Sequence, residues 1–174
     1  MSEDEPVETM WEGRYIRALR QGSWEYVSRA RDIRAVVILA EDDGKIVLIE
    51  QYRIPIGRRC LELPAGLIGD DNDNADVEDT AIKELEEETG FTAERIERLG
   101  EFYSSPGMVS ESFTLVRAHG LKRVGDGGGL DGHEEITVHL VEREAIPAFV
   151  EERRAEGVGI DTRMLLMLGP ALLD

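Results

Sequence analysis

An amphipathic segment at residues 76–89 limits the fold more than any other part of this sequence. Ala81, Ile82 and Leu85 give it one apolar side, and Gly90 follows at the position typical of a helix C-cap. Such a helix has to bury its apolar side against another element, and extended segments lie before and after it in the chain. The pattern predicts one central helix packed on a β-sheet.

The flanking segments are rich in Val, Ile, Tyr and Trp, which is typical of strands. Those before the helix are GRYIRAL, WEYVSRA, RAVVILAE and KIVLIEQYR, with turn signals at residues 21–23 and 42–44. Those after it are SFTLVRAHGL, ITVHLVE and FTAERIERLGEFYSS, in which residues 94–99 also allow a helix. Two helical segments, REAIPAFVEERRAEG and DTRMLLMLGPALL, close the chain. We therefore predict an α/β sandwich with a mixed central sheet.

Length and composition indicate one domain. The 174 residues, 41% of them hydrophobic, are enough for one full core and rather short for two. No run of about 18 apolar residues occurs, and the first residues are acidic where a signal peptide would be basic and then apolar. We expect a soluble, cytoplasmic protein without a membrane partner.

The formal net charge of −17 argues against polymeric nucleic acid as a partner, because neutralising phosphates requires a broad basic surface. A small anionic substrate stays compatible if divalent cations supply positive charge locally. Cys60 is the one cysteine, which excludes an intrachain disulfide and a zinc site built from cysteines. We expect it to be a small buried residue of a strand.

Three carboxylates of the central helix share one face. Glu84, Glu87 and Glu88 stand at relative positions i, i+3 and i+4, and such crowding of like charges costs stability. Hard cations such as Mg²⁺ bind several carboxylates together with substrate phosphates. The competing interpretation is a solvated acidic face, and the surrounding residues decide between the two.

Those surrounding residues resemble the Nudix box. In that motif a glycine, five residues, a glutamate and seven residues precede Arg-Glu-apolar-x-Glu-Glu-x-Gly-apolar. The second half of the motif is filled here by Glu84, Leu85, Glu87, Glu88, Gly90 and Phe91. The segment ELPAG, residues 62–66, looks like the strand and loop that precede the box in ADP-ribose pyrophosphatases.

The sequence departs from the motif at three points. Lys83 replaces the arginine, which keeps the charge but loses the bidentate guanidinium. The stretch from Gly66 to Lys83 is three residues longer than the motif, and we expect the extra residues to bulge outward from a polar loop. Ala75 stands where the first glutamate is expected, with Asp73 or Asp76 as alternative replacements.

The resemblance extends from about Gly13 to the final helix and implies a Nudix-type α/β/α sandwich with an N-terminal antiparallel hairpin. Residues 1–9 have few apolar side chains to bury, which predicts a frayed acidic arm, and the resemblance then divides the chain into a strand hairpin at residues 10–32 and a hydrolase domain at residues 33–174. It also implies a homodimer in which the hairpin of one subunit reaches into the site of the other.

Resemblance to ADP-ribose pyrophosphatases also implies which residues bind the substrate, a nucleotide sugar. Aromatic residues would clamp the adenine, an arginine and a strand glutamate would lie at the diphosphate, and FYSSPGMVSES matches the family segment downstream of the box. The implied residues are Tyr15, Trp24, Arg29, Arg53, Glu62, Pro106 and Glu111. The alternatives are aromatic packing on the sheet, a surface salt bridge between Arg53 and Glu62, and an ordinary turn at Pro106.

The implied chemistry is hydrolysis of ADP-ribose to AMP and ribose 5-phosphate with Mg²⁺, or Mn²⁺, as cofactor. Glu84 and Glu88 would hold the metal ions, assisted by Glu87 and the carbonyl of Ala65. The segment GGGLDGHEEITVHL resembles the mobile family loop that supplies a base, and its glycines permit motion. Glu134 aligns with the catalytic glutamate, Glu135 is the alternate, and His133 ranks third.

Other functions remain open from the sequence. GDP-mannose or another nucleotide sugar could replace ADP-ribose as the substrate. Alternatively, the altered box could belong to a non-catalytic module that binds a nucleotide. Retention of Glu84, Glu87 and Glu88 together favours catalysis, because a binding module has no need for costly clustered carboxylates. A purely structural acidic protein explains neither the glycine-rich loop nor ELPAG.

Overall fold

The computed structural model describes residues 5–30, 33–69, 76–129 and 135–173 of the chain. The strands in this part are β1 (Val7–Glu12), β2 (Ile16–Gln21), β3 (Trp24–Arg29), β4 (Arg34–Asp42), β5 (Lys45–Arg53), β6 (Arg58–Glu62), β7 (Ala65–Ile68), β8 (Phe91–Thr92), β9 (Arg95–Tyr103), β10 (Ser112–His119), β11 (Lys122–Arg123), β12 (Thr137–Glu142) and β13 (Gly159–Ile160). The α-helices are α1 (Val77–Thr89), α2 (Ile146–Ala155) and α3 (Leu165–Leu173).

Eight of these strands form one mixed sheet within the described residues. Its order is β13-β6-β5-β4-β10-β9, with β12 also paired to β5 and β7 also paired to β4. The pairs β4/β10 and β6/β13 are parallel and the others are antiparallel. Strands β4 and β5 pair only beside their tight turn, after which β4 pairs with β7 and β5 with β6, while β12 pairs with the other edge of β5. The sheet therefore opens between β4 and β5.

Helices cover both faces of this sheet, which is why β4 and β5 are apolar without alternation. On one face, Val36 and Ile38 of β4 pack in a cluster with Leu85 of α1. On the other, Val37 of β4 packs in a cluster with Val150 of α2. The predicted α/β sandwich with a mixed sheet is confirmed.

Helix α1 follows the predicted boundaries closely. Asp76 is its N-cap in an extended conformation, and Gly90 ends it with φ 75°, a left-handed conformation that suits glycine. Residues 95–99, for which a helix was the alternative, belong instead to strand β9, and Glu94 lies just before it. Pairing with β10 fixes them there, because Arg95 lies opposite His119 and Arg98 opposite Val116.

The N-terminal strands form a separate three-stranded antiparallel sheet in the order β1-β2-β3. The predicted acidic arm at residues 1–9 is therefore wrong for residues 7–9, which belong to β1 and pair with Leu19–Gln21 of β2. Every residue of β1 is exposed. Its sequence therefore lacks the alternation of apolar and polar residues that indicates a strand with one buried face. Leu19 of β2 is the one buried residue of these three strands, so the small sheet is marginal alone and has to gain stability from further contacts.

Two smaller expectations can also be checked. Cys60 lies buried in β6, as predicted, and burial raises the pKa of its thiol to about 12, so the thiolate needed for nucleophilic chemistry is scarce at neutral pH. None of the helices in the described ranges combines the length and the apolar character needed to cross a membrane.

Candidate active site

The acidic face of α1 lies against the edge strand β7. Gly66 of β7 approaches Glu84 so closely that a Cβ atom at Gly66 would be 2.1 Å from the Cγ and Cδ atoms of Glu84. Only glycine leaves room for the carboxylate at this point. The resemblance identified Gly66 as the first residue of the box, and the structure gives this glycine a physical role beside Glu84.

A second carboxylate of the same face is held by the neighbouring residue of β7. The backbone N–H of Ala65 donates a hydrogen bond of 3.0 Å to Oε2 of Glu88. Glu88 is only 5% exposed, and a buried carboxylate needs such partners to remain charged. Glu84 and Glu88 are therefore directed at Ala65–Gly66, whereas Glu87 on the same helix is half-buried.

The described part of the glycine-rich loop docks on the C-terminal end of α1. The N–H groups of Gly128 and Gly129 donate to the carbonyls of Glu88 and Glu87 at 2.9 and 3.0 Å. These carbonyls have no partner within the helix, so the loop completes their hydrogen bonding. A Cβ atom at Gly127, which has φ 68°, would lie 2.4 Å from the carbonyl carbon of Thr89. The approach of the two backbones requires glycine there.

Arg53 and Glu62 form a bidentate ion pair on adjacent strands. Nε and Nη2 of Arg53 donate to the two carboxylate oxygens of Glu62 at 2.7 and 2.6 Å. This hydrogen bonding to Glu62, assisted by the charge of Glu88, raises the pKa of Arg53. Glu62 is 1% exposed, so the pair is more than a surface salt bridge and fixes the Arg53 guanidinium near Glu88.

Two residues that the sequence did not indicate extend this pair. Nη2 of Arg163 lies 3.5 Å from Oε2 of Glu62, and the same guanidinium forms a bidentate pair with Asp161. Arg163 is 101 residues from Glu62 in the chain, and no local pattern connects the two. Together they form a row of alternating charges at one end of the sheet.

Two other predicted residues also meet. Nε of Arg29, at the end of β3, donates to Oε1 of Glu111 at 2.6 Å, although the residues are 82 positions apart. Backbone bonds between Val27 and the segment at 108–110 hold the two elements together beside this pair. The turn containing Pro106, which is exposed, is thereby attached to the N-terminal sheet.

The predicted aromatic clamp residues lie at opposite ends of the N-terminal sheet. Trp24 lies opposite Gln21 at one end of the β2/β3 pair, and Tyr15 precedes Ile16, which lies opposite Arg29 at the other. Six residue steps of strand separate them, roughly 20 Å. Trp24 and Tyr15 are about half exposed, at 48% and 53%, and the Arg14 guanidinium lies over the Tyr15 ring, 5.0 Å from its centroid. Within one chain they cannot stack on the two faces of the same base.

The donors around Ala65 fit a hard cation. Carboxylate and carbonyl oxygens are the ligands that Mg²⁺ prefers, and it needs only one or two protein carboxylates when phosphates and waters complete its shell. In the described residues no group of three or more His, Cys, Asp or Glu side chains is close enough to hold a metal by itself. A site of this type would therefore depend on the substrate for part of its ligands.

Some predicted residues cannot join this site or lie outside the described residues. Asp76 binds Arg98 at the start of α1, twelve residues and roughly 18 Å of helix from Glu88, so it does not replace the missing glutamate beside the metal ligands. Four residues named from the sequence lie outside the described residues: Asp73, Ala75, His133 and Glu134. Glu135 is described and exposed.

Comparison with known proteins identifies the family of the chain. The family model for the NUDIX domain matches residues 30–157. The chain is similar to an ADP-ribose pyrophosphatase of Bacillus subtilis, 38% identical over 120 residues, which cover 68% of this chain and 63% of that protein. It is also similar to a GDP-mannose pyrophosphatase of Cronobacter sakazakii, 31% identical over 143 residues, which cover 77% of this chain and 70% of that protein.

A solved structure described as an ADP compounds hydrolase has a similar fold. It superimposes with a TM-score of 0.65 at 23% identity, covering 84% of this chain and 80% of the other. This likeness concerns the fold alone.

Proposed function

The chain belongs to the Nudix family, and we propose that it hydrolyses the diphosphate of a nucleoside diphosphate sugar, with ADP-ribose as the leading substrate. The observation that carries the proposal is the position of Glu84 and Glu88, which are directed at Gly66 and Ala65 of the adjacent strand. Carboxylates that lie side by side against a strand can bind divalent cations, and a nearby arginine can bind the diphosphate that completes the metal shell. The products would be AMP and ribose 5-phosphate.

Glu84 and Glu88 are the proposed metal ligands, with Glu87 and the carbonyl of Ala65 assisting. Mg²⁺ is the expected ion and Mn²⁺ a substitute, because both prefer oxygen donors. When bound, such an ion neutralises charge on the diphosphate and makes water a stronger acid near neutral pH. The Ala65 N–H orients Glu88, and the absence of a side chain at Gly66 lets Glu84 reach the same place.

Arg53 is the proposed ligand of the diphosphate. Its bidentate pair with Glu62 fixes the guanidinium plane, and its side chain is 42% exposed, so donors remain available to an incoming phosphate. The bound cations and Arg53 would together offset the negative charge of the substrate in a protein of net charge −17. A general base would come from the loop before β12, where Glu134 is the first choice, Glu135 the second and His133 the third.

The adenine is proposed to bind between Tyr15 of one subunit and Trp24 of another in a homodimer. The separation of these rings within one chain supports this arrangement, as does strand β1, whose residues are all exposed in a small sheet. Residues 10–32 would then be the dimerising element and residues 33–174 the hydrolase domain, and the family match begins near that boundary, at residue 30. Arg29 and Glu111, joined by their ion pair, would line the same site with Pro106. We propose that the protein is located in the cytoplasm.

A second candidate is supported by the similar GDP-mannose pyrophosphatase, which is named for a different sugar nucleotide. The two candidate substrates are distinguished by measuring the products formed when the protein is incubated with ADP-ribose, GDP-mannose and other nucleotide sugars, each with Mg²⁺, Mn²⁺ or chelator. We expect release of AMP and ribose 5-phosphate from ADP-ribose, abolished by chelator. Faster release of GMP from GDP-mannose would replace the leading substrate. Binding of these nucleotides without product would instead identify a non-catalytic module.

A further inference from the structure

The two ends of the glycine-rich loop are joined at its base. The N–H of Ile136 donates to the carbonyl of Gly128 at 3.2 Å, so the chain leaves and returns at nearly the same point. On the leaving side, Gly128 and Gly129 are bonded to the last turn of α1, which carries the proposed metal ligands. That side is therefore fixed relative to Glu84 and Glu88.

The returning side is held by a different residue. Nη2 of Arg59, in β6, donates to the hydroxyl of Thr137 at 2.9 Å and to the carbonyl of Glu50 at 2.7 Å, while its Nε donates to Oε1 of Glu50 at 2.6 Å. Thr137 begins β12 and lies opposite Glu50 in the ladder. One guanidinium thus ties the start of β12 to its neighbour β5 and to β6 on the far side of β5.

Arg59 is itself fixed by the burial of its partner. Glu50 is 6% exposed, and its other oxygen, Oε2, has His139 Nε2 at 3.4 Å and Arg153 Nη1 at 3.9 Å. A buried carboxylate that lies between the guanidinium groups of Arg59 and Arg153 cannot swing towards solvent without losing them, and the two bonds to Glu50 leave Arg59 one orientation. The hydroxyl of Thr137 is the outermost acceptor of this network.

We propose that Arg59 is a positioning residue for the hydrolysis and acts through the hydroxyl of Thr137. This inference rests on the proposed function. Thr137 follows Glu135 and Glu134, the two leading candidates for the base, by two and three residues. Of these two carboxylates the structure describes Glu135, and holding the first residue of β12 limits where the side chain two residues before it can lie.

A positioning role and a merely structural role predict different measurements. The bond to Thr137 lies at the surface, where one hydrogen bond contributes little to the free energy of unfolding. The rate of a reaction depends far more steeply on placement, since a misplacement of about 1 Å can cost about 100-fold. Loss of the hydroxyl should consequently lower kcat while the melting temperature and KM stay nearly unchanged.

The test compares Thr137→Val with Thr137→Ser in the full chain, using the substrate that the parent hydrolyses fastest. Valine keeps the shape and strand preference of threonine without the hydroxyl, and serine keeps the hydroxyl. We expect T137V to lower kcat about tenfold with KM within about twofold, and T137S to retain at least about half of the parent kcat. Parental kcat in T137V, or an equal loss in both variants, would overturn the inference.

The dependence on Arg59 is tested by a double-mutant cycle with Arg59→Lys, which keeps the charge beside Glu50 but not the fork. The expected result is a loss of kcat in the parent background and no further loss in the T137V background. Fully additive losses would show that Arg59 acts by another route and would contradict the proposal. If the parent hydrolysed no nucleotide sugar, the proposed function would fail as well, whereas an active parent with an unaffected T137V overturns this inference alone.

Discussion

The N–H of Ala65 donates to Oε2 of Glu88 over 3.0 Å, joining the strand before the box helix to the last turn of that helix. The bond spans 23 residues of sequence, including the polar stretch that lengthens the box. The insertion therefore leaves the two ends of the motif in contact.

Replacing Glu88 by Gln should remove a metal ligand without removing the fold. The amide oxygen of Gln can still accept from Ala65, so the melting temperature should stay within a few degrees of the parent. We expect kcat to fall by about 1,000-fold or more, because transition-state charge would lose its cation. Glu86→Gln is the matched control, since Glu86 is exposed on the same helix, and it should keep parental turnover. Activity of E88Q within about tenfold of the parent would remove Glu88 from the metal site.

Replacing Gly66 by Ala should displace Glu84, because the new methyl carbon would lie 2.1 Å from its Cδ atom. Glu84 is a flexible side chain and can move aside, so the fold should survive while the metal ligand is misplaced. The expected result is a higher Mg²⁺ concentration for half-maximal activity, by about tenfold or more. Gly169→Ala is the control, since no atom lies within 4 Å of its Cβ position, and it should leave the Mg²⁺ dependence unchanged. An unchanged dependence in G66A would argue against Glu84 as a ligand.

The docking of the glycine-rich loop on α1 can be broken at Gly127. An alanine there would be strained at φ 68° and would place Cβ 2.4 Å from the Thr89 carbonyl carbon, with backbone on both sides. We expect lower kcat and a lower melting temperature. In the same loop, Gly125 has no atom within 4 Å of its Cβ position, so Gly125→Ala should preserve both. Parental kcat in G127A would show that docking of this loop on the helix is unimportant for turnover.

The separation of Tyr15 and Trp24 makes the proposed clamp testable by mixing variants. Tyr15→Ala and Trp24→Ala should each raise KM for ADP-ribose, because each removes one stacking face worth about 1–3 kcal/mol. When the two variants are mixed and allowed to exchange subunits, each heterodimer regains one site with both rings. Part of the parental kcat/KM should therefore return. A mixture that stays at the average of the two variants would contradict a clamp shared between subunits.

The start of α1 should contribute a pH-dependent stabilisation. The hydrogen bond from Arg98 lowers the pKa of Glu78 to about 2, from an ordinary value of 4.5. A carboxyl group with a lowered pKa in the folded state stabilises it fully above about pH 4.5, and this contribution is lost as the pH falls towards 2. The free energy of unfolding should be lower in Arg98→Gln at pH 6, with the difference shrinking below pH 4.5. The effect is small because the Arg98 side chain is half exposed and that of Glu78 about one-third exposed, so water screens the pair. A difference that grows on acidification would contradict this assignment.

The periodicity of the sequence was sufficient to predict helix α1, whose form depends on residues close together in the chain. The prediction that Glu84, Glu87 and Glu88 lie on a helix ended by Gly90 was correct. Three consecutive turns with one apolar side indicate a helix and no other element. The strand β1 was missed, because its residues alternate in no buried pattern and it is held only by pairing with β2. Its acidic composition alone indicated an arm.

The longer-range contacts of the site could not be found in the same way. Arg163 meets Glu62 across 101 residues and Arg59 meets Thr137 across 78, and both contacts arise only when strands and turns assemble. The family resemblance indicated Arg29 and Glu111 separately as substrate-binding residues. It did not indicate that they pair with each other. Pairings of this kind depend on tertiary packing, and no pattern of neighbouring residues in the sequence indicates them.

The central claim is that Glu84 and Glu88 are crowded against Ala65 and Gly66 because divalent cations bind between them and a diphosphate. Its most direct test is a crystal soaked with Mn²⁺ and the non-hydrolysable α,β-methylene analogue of ADP-ribose, in which anomalous scattering locates the metal. The account predicts Mn²⁺ bonded to both glutamate carboxylates and to oxygens of the analogue, with Arg53 at the same phosphates. Analogue bound elsewhere, with these carboxylates in solvent and no metal beside them, would contradict it.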